Sequence, residues 1–194
     1  MKKIYFFDLD GTVTNEEILP KIAERFNFKK KMVKLTRAAM NGDVSFESSF
    51  RYRHKLLSKF SLSDITKVVN KVSLNKKIVN FINQNPNQCK IITGNLDKWI
   101  LPIKAKIKCE FFTSISSSEG INLKYIMNKG EILKKFKNNK RIFIGDGYND
   151  VTAFRNCEIK IAFGKIHSPP DILINMSDYY LMDETKLCLL LEQL

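Results

Sequence analysis

Residues 4–14 read Ile4-Tyr5-Phe6-Phe7-Asp8-Leu9-Asp10-Gly11-Thr12-Val13-Thr14. Four apolar residues run straight into two acids and a glycine. A continuous apolar run of this length suits a strand buried on both faces. Residues i and i+2 of an extended chain point the same way, so Asp8 and Asp10 are delivered to one point at the strand end. Two neighbouring carboxylates repel, and keeping both ionised calls for a cation. A second run, Arg141-Ile142-Phe143-Ile144, leads into Gly145-Asp146-Gly147-Tyr148-Asn149-Asp150. If the two strands share one parallel sheet, the acids meet at its carboxyl edge, where open α/β sheets bind ligands.

Strands and helices alternate around these two points. Short buried strands are expected at 90–93, 109–113, 159–163 and 179–181. Helices are expected at 130–137, 151–155 and 184–191, with a further one carrying Trp99 as packing. Alternation of this kind implies a doubly wound, parallel Rossmann-like sheet. Between Glu16 and Asn85 the pattern is helical throughout. Leu19, Ile22, Ala23 and Phe26 share one face. Asn41-Gly42 stops a second helix, Ser45 caps a third, Ser63-Asp64 opens a fourth and Asn75 precedes a fifth. The expected division is an α/β core of residues 1–14 and 86–194 with a helical cap, 15–85, inserted over the sheet edge. Residues 114–120 are expected to be a mobile loop, His54 to lie on a helix surface, and His167 to sit in an exposed or merely structural Pro-rich loop.

The 194 residues are 44% hydrophobic and 27% charged, an ordinary globular mixture. There is no apolar run long enough to span a bilayer, and only four apolar residues follow Met1-Lys2-Lys3, so no membrane segment and no leader are expected. Cys89, Cys109, Cys157 and Cys188 form no Cys-x-x-Cys and read as reduced, buried thiols of a cytoplasmic protein. The net charge is +13, which raises a basic nucleic-acid-binding protein as the alternative of another class. Residues 11–85 hold 15 Lys and Arg against 6 Asp and Glu. No nucleic-acid motif accompanies the excess, and most of these lysines fall on the polar side of helical patterns, so nucleic acid is not the expected partner.

The polar residues at the expected strand ends are, in order, Asp8 and Asp10, Thr93-Gly94-Asn95, Lys129, and Asp146, Asn149 and Asp150. Mg²⁺ takes oxygen ligands from one or two carboxylates and a phosphate. Asp8, Asp146 and the Asp10 carbonyl can supply them, with Asn149 and Asp150 behind. The Thr93 hydroxyl, the amides at Gly94 and the Lys129 ammonium can hold the other phosphate oxygens. This set suits phosphoryl transfer through an aspartyl-phosphate on Asp8, with Asp10 as general acid and base.

The four clusters, Asp8-Leu9-Asp10-Gly11-Thr12, Thr93-Gly94, Lys129 and Gly145-Asp146-Gly147-Tyr148-Asn149-Asp150, resemble the ordered motifs of the haloacid dehalogenase superfamily of phosphatases. The helical insert is similar to the small cap of its phosphoserine phosphatase branch. That resemblance implies that Glu17 holds a substrate ammonium, that Arg53 pairs with a substrate carboxylate, and that Met40 and Phe46 form an apolar lid. It also implies a small phosphorylated metabolite as the substrate, with O-phosphoserine first. Two features differ from that branch: Asn95 stands where a second glycine is usual, and the tail Phe163-Gly164-Lys165-Ile166-His167 is distinct. They motivate the alternative of another metabolite, such as an amino-alcohol phosphate or a sugar-linked phosphate in surface-polysaccharide biosynthesis.

Overall fold

The computed structural model describes all 194 residues. β1 (Lys3–Phe7) lies in the middle of a seven-stranded sheet. On one side of it run β2 (Cys89–Leu96), β3 (Glu110–Ser116) and β4 (Leu123–Tyr125). On the other run β5 (Lys140–Gly145), β6 (Ile159–Phe163) and β7 (Tyr179–Leu181). The order is β4-β3-β2-β1-β5-β6-β7, and every pairing is parallel except the outermost, β3 with β4. The chain winds outward from β1 through β4, then crosses back to place β5 on the free side of β1. That reversal makes a crevice between the ends of β1 and β5, the place where open sheets of this kind bind ligands.

The apolar run of β1 is continuous because both faces of the sheet are covered. Tyr5 and Phe7 point into one layer with Phe81, Ile142 and Ile144, while Ile4 and Phe6 point into the other with Leu133 and Phe143. α5 (Lys76–Gln84) and α10 (Glu184–Gln193) cover the first face, where Phe81 meets Tyr5 edge-on at 5.5 Å. The Tyr5 hydroxyl donates to the Leu191 carbonyl at 3.0 Å, so its polar end is satisfied in the core.

Four helices separate β1 from α5: α1 (Ile18–Arg25), α2 (Lys29–Asn41), α3 (Phe46–Leu57) and α4 (Leu62–Val69). Gly42 ends α2 with a left-handed φ of 86°, and the hydroxyls of Ser45 and Ser61 cap α3 and α4. The cap of α4 thus lies two residues before the expected Ser63. The chain leaves the sheet and returns to it side by side. Asn15 N donates to the Ser73 carbonyl and Asn75 N to the Val13 carbonyl, each at 2.8 Å. α5 comes after this crossing and packs on the sheet, although the sequence pattern grouped it with the inserted helices.

Two local expectations are corrected. Residues 114–120 are no loose loop: Ser114 to Ser116 continue β3, and Ser117 turns the chain into β4 through bonds with Gly120 and Asn122. His54 is buried, not on a helix surface, because it stacks on Trp99 at 5.5 Å. Trp99 itself is fully covered, in the turn before α6 (Leu101–Lys104). All four cysteines are free, and burial pushes the Cys89 thiol up to about 12. No helix is long and apolar enough to cross a membrane.

Candidate active site

Asp8 follows β1 directly, and its amide still pairs with the Ile144 carbonyl of β5 at 2.8 Å. The chain then turns sharply over Leu9–Val13, closed by Thr14 N donating to the Leu9 carbonyl at 2.9 Å. Gly11 has a φ of 69° in this turn, and a side chain there would run into the Asp146 carboxylate. The glycine therefore lets the β1 turn and the β5 acid approach each other. Both protein contacts of Asp8 fall on Oδ1, from Leu9 N and from Lys129 Nζ, each at 2.7 Å.

Lys129 begins α7 (Lys129–Lys134), which Asn128 caps. Its ammonium bridges Asp8 and Asp150, reaching Asp150 Oδ1 at 2.5 Å. The other oxygen of Asp150 accepts from the amides of Asp146 and Gly147 at 3.0 Å each. Asp150 thus ties the loop after β5 to the lysine, and its own oxygens are spent on that task. Asp10 points the other way around the turn. Its Oδ1 accepts from Ile18 N, the start of α1, at 2.7 Å, and its Oδ2 accepts from the Asn95 side-chain amide. Asn95 also donates to the Thr93 hydroxyl from both of its nitrogens.

One cleft collects Asp8, Asp10, Thr93, Gly94, Asp146 and Asn149 from the sheet side and Glu17, Met40, Phe46 and Arg53 from the helices. Lys129 and Asp150 lie behind its wall. The Phe46 ring sits directly against Gly94, where any side chain would displace it. The Arg53 guanidinium is buried, donating to Thr36 Oγ1 at 3.1 Å and to the Ser49 carbonyl at 3.3 Å. The residues singled out in the sequence thus meet at one place, and two further polar side chains join them. Asn95 was visible only as a departure and proves to be a donor to Asp10. His167, expected to be exposed or structural, comes within 2.8 Å of Asp146. Its loop follows β6, and no spacing rule connects it to the motifs.

The electrostatics of this floor are unbalanced. Burial lifts Asp8 well above the usual carboxylate range, with Lys129 opposing and the other acids adding to the rise. Burial likewise raises Asp146, whose acidic neighbours Asp150 and Asp10 add to it, and Glu17, beside Asp10 and Asp146. Asp10 rises less, because the bonds from Ile18 and Asn95 favour its anion. Burial acts against the charge of Lys129, but Asp150 and Asp8 overcome it and hold the group above an ordinary lysine. One lysine does not neutralise so many acids. The carboxylates of Asp8, Asp146 and Asp150 lie within 4.8 Å of one another, and Asp146 Oδ2 is buried without a hydrogen-bond partner. An all-oxygen donor set with an unsatisfied anionic atom fits a hard divalent cation.

No family model matches the chain. It is similar to the phosphoserine phosphatase of Methanocaldococcus jannaschii, 28% identical over 84% of this chain and 85% of the relative. A solved phospho-aspartyl intermediate analogue of phosphoserine phosphatase superimposes with a TM-score of 0.79 at 25% identity, covering 94% of both chains. A substrate-bound phosphoserine phosphatase complex does so with a TM-score of 0.81 at 24% identity, over 97% of each. The acid placement in the crevice and these likenesses mark the chain as a phosphoric monoester hydrolase. It is phosphoserine phosphatase-like.

Proposed function

We propose that the protein hydrolyses a small phosphomonoester through an aspartyl-phosphate on Asp8, with O-phosphoserine or a close analogue as substrate. The observation that carries this reading is the pairing of Asp8, on the floor of the cleft, with Lys129 directly behind it, in a cleft whose helical side brings one carboxylate and one guanidinium, Glu17 and Arg53. Lys129 holds Asp8 by Oδ1, leaving Oδ2 to attack phosphorus in line with the ester oxygen. Asp10, pinned by Ile18 and Asn95, gives its proton to the departing alkoxide. It then takes one from the water that cleaves the acyl phosphate. Thr93, the amides at Gly94 and the Lys129 ammonium fit the remaining phosphate oxygens. Mg²⁺ held by Asp8, Asp146 and the Asp10 carbonyl, with Asn149 and Asp150 behind them, would supply the positive charge that phosphate and nucleophile need in order to approach each other.

Glu17 and Arg53 give the substrate ends of opposite charge, an ammonium and a carboxylate, with Met40 and Phe46 closing the apolar side. We place the cap boundary at the Thr14–Leu74 bridge, so that α1 to α4 form the cap and α5 belongs to the core. Four free thiols, Cys89 and Cys157 buried and Cys109 and Cys188 half-buried, suit a cytoplasmic enzyme. A second reading, a different amino-alcohol or sugar phosphate, is favoured by one observation: Asn95 lines the cleft and adds an amide beside Asp10.

The test is phosphate release with Mg²⁺ from O-phosphoserine, phosphoethanolamine, serinol phosphate and sugar phosphates, with Asp8→Asn as control. A lead of about tenfold in kcat/KM for phosphoserine, about 1.4 kcal/mol, supports carboxylate recognition. Arg53→Ala should then erase that lead. If phosphoserine trails serinol phosphate and Arg53→Ala changes neither, the second reading holds. Turnover by Asp8→Asn equal to wild type overturns both.

A further inference from the structure

Seven buried side-chain atoms in the whole chain have no hydrogen-bond partner, and three of them belong to Glu17, Asp146 and His167. The three residues come from different parts of the fold: the start of α1, the end of β5 and the loop between β6 and α9 (Asp171–Met176). Ligand atoms of all three nevertheless lie within 4.8 Å of one another. His167 Nε2 is 2.8 Å from Asp146 Oδ2, yet neither atom gains a hydrogen bond from the approach. Buried polar groups are almost always paired; the oxygen site beside Asp8 can claim Asp146 Oδ2, but Glu17 Oε1 and His167 Nε2 still lack a partner. Asp146 is only 1% exposed, so water does not supply that partner freely.

The donors differ in kind from those at Asp8. One is an imidazole nitrogen and two are carboxylate oxygens. Mg²⁺ and Ca²⁺ favour oxygen alone, whereas imidazole with carboxylate suits Zn²⁺ and similar transition cations. Bonds of about 2.0–2.2 Å to one ion set its donors roughly 3–4 Å apart, so the 2.8 Å edge between His167 and Asp146 has to open by a few tenths of an ångström while Glu17 stays within its 4.8 Å limit. Gly11 keeps the ground beside it clear: a side chain there would strike Asp146 and come within 3.0 Å of His167 Cε1. Two of the three residues, Glu17 and His167, also line a second groove with Ile166, Met40 and Glu24, which the cleft holding Asp8 shares only at Glu17, Met40 and Thr36.

We propose that Glu17, Asp146 and His167 form a second divalent-metal site, selective for Zn²⁺ or a cation of like chemistry and sharing Asp146 with the oxygen site beside it. Occupied, it holds Glu17 away from the cleft. That consequence for substrate binding rests on the reading under Proposed function, but the site itself does not.

The test measures binding, not turnover. Full-length protein saturated with Mg²⁺ is dialysed against Zn²⁺, and bound Zn²⁺ and Mg²⁺ are both counted. The expected result is one Zn²⁺ per chain with Mg²⁺ retained, and Zn²⁺ affinity at least about tenfold weaker in His167→Gln. X-ray absorption of the Zn²⁺-loaded wild type, which needs no variant to fold, should show imidazole scattering. Absence of Zn²⁺ binding, Zn²⁺ bound only in exchange for Mg²⁺, an affinity unchanged in His167→Gln, or a spectrum without imidazole would each overturn the site. None of these results depends on whether phosphoserine is the substrate.

Discussion

Lys129→Gln removes the one cation of the acidic floor, and the structure sets the size of the loss. The ammonium stands 2.7 Å from Asp8 and 2.5 Å from Asp150, and all three groups are buried. At an effective dielectric of about 20, each contact is worth roughly 6 kcal/mol of attraction. Much of that offsets the cost of burying the ammonium, several kcal/mol. Breaking a buried pair by removing one partner typically costs about 3–5 kcal/mol, because the other charge stays buried and alone. Total stability of a domain is about 5–15 kcal/mol, so the variant should stay folded but lose a large share of it. For a chain of this size each kcal/mol moves Tm by about 2–4 °C, giving a fall of roughly 6–20 °C. The assay is urea unfolding at pH 7.5 in chelator, where an unchanged slope and a lower midpoint identify a stability change. The loss should shrink as pH falls toward about 5, since Asp8, held above the usual carboxylate range by burial, then takes up a proton and no longer needs the cation. Lys129→Gln with Asp150→Asn should recover part of it, because the two sites share one interaction. A loss under about 1 kcal/mol at pH 7.5, or the same loss at both pH values, would refute the reasoning.

Other outcomes follow from the same geometry. The raised carboxyls of Asp8, Asp146 and Glu17 mean that, above the ordinary carboxylate range, the folded state holds more protons than the unfolded one. Metal-free stability should therefore fall as pH rises through that window, and the Tm gain from saturating Mg²⁺ should be larger at pH 7.5 than at pH 5; equal gains at the two pH values would contradict it. Asn95→Gly deletes a bond that favours the Asp10 anion, so the limb of the kcat/KM profile that reports Asp10 should move to higher pH; an unmoved limb would show that Asn95 does not tune this acid. Gly94→Ala forces the Phe46 ring aside and should raise KM about tenfold, with Tm nearly unchanged. Adding Phe46→Leu should restore KM, and if it does not, the collision is not what weakens binding.

Much of this protein is determined by short stretches of its chain. Ile4 to Thr14 and Arg141 to Asp150 announce two buried parallel strands with acids at their ends. Burial on both faces leaves a local mark, an unbroken apolar run, and a sharp turn leaves another, a glycine. Caps are equally local, so Ser45, Asn75 and Gly42 mark helix limits where the structure has them. Other features depend on partners far away in sequence. β4 is three residues long and exists only because β3 offers it an edge. His54 lies at a helical position that nothing marks as buried until Trp99, 45 residues later, is folded over it. α5 reads like its neighbours in the insert, and only its contacts with Tyr5 and α10 show that it packs on the sheet. Asn95 and His167 are the sharpest cases. An amide and an imidazole have no period and no fixed spacing to the acids they meet. What they do is decided by which strand ends the sheet order brings together, and that is a property of the whole fold.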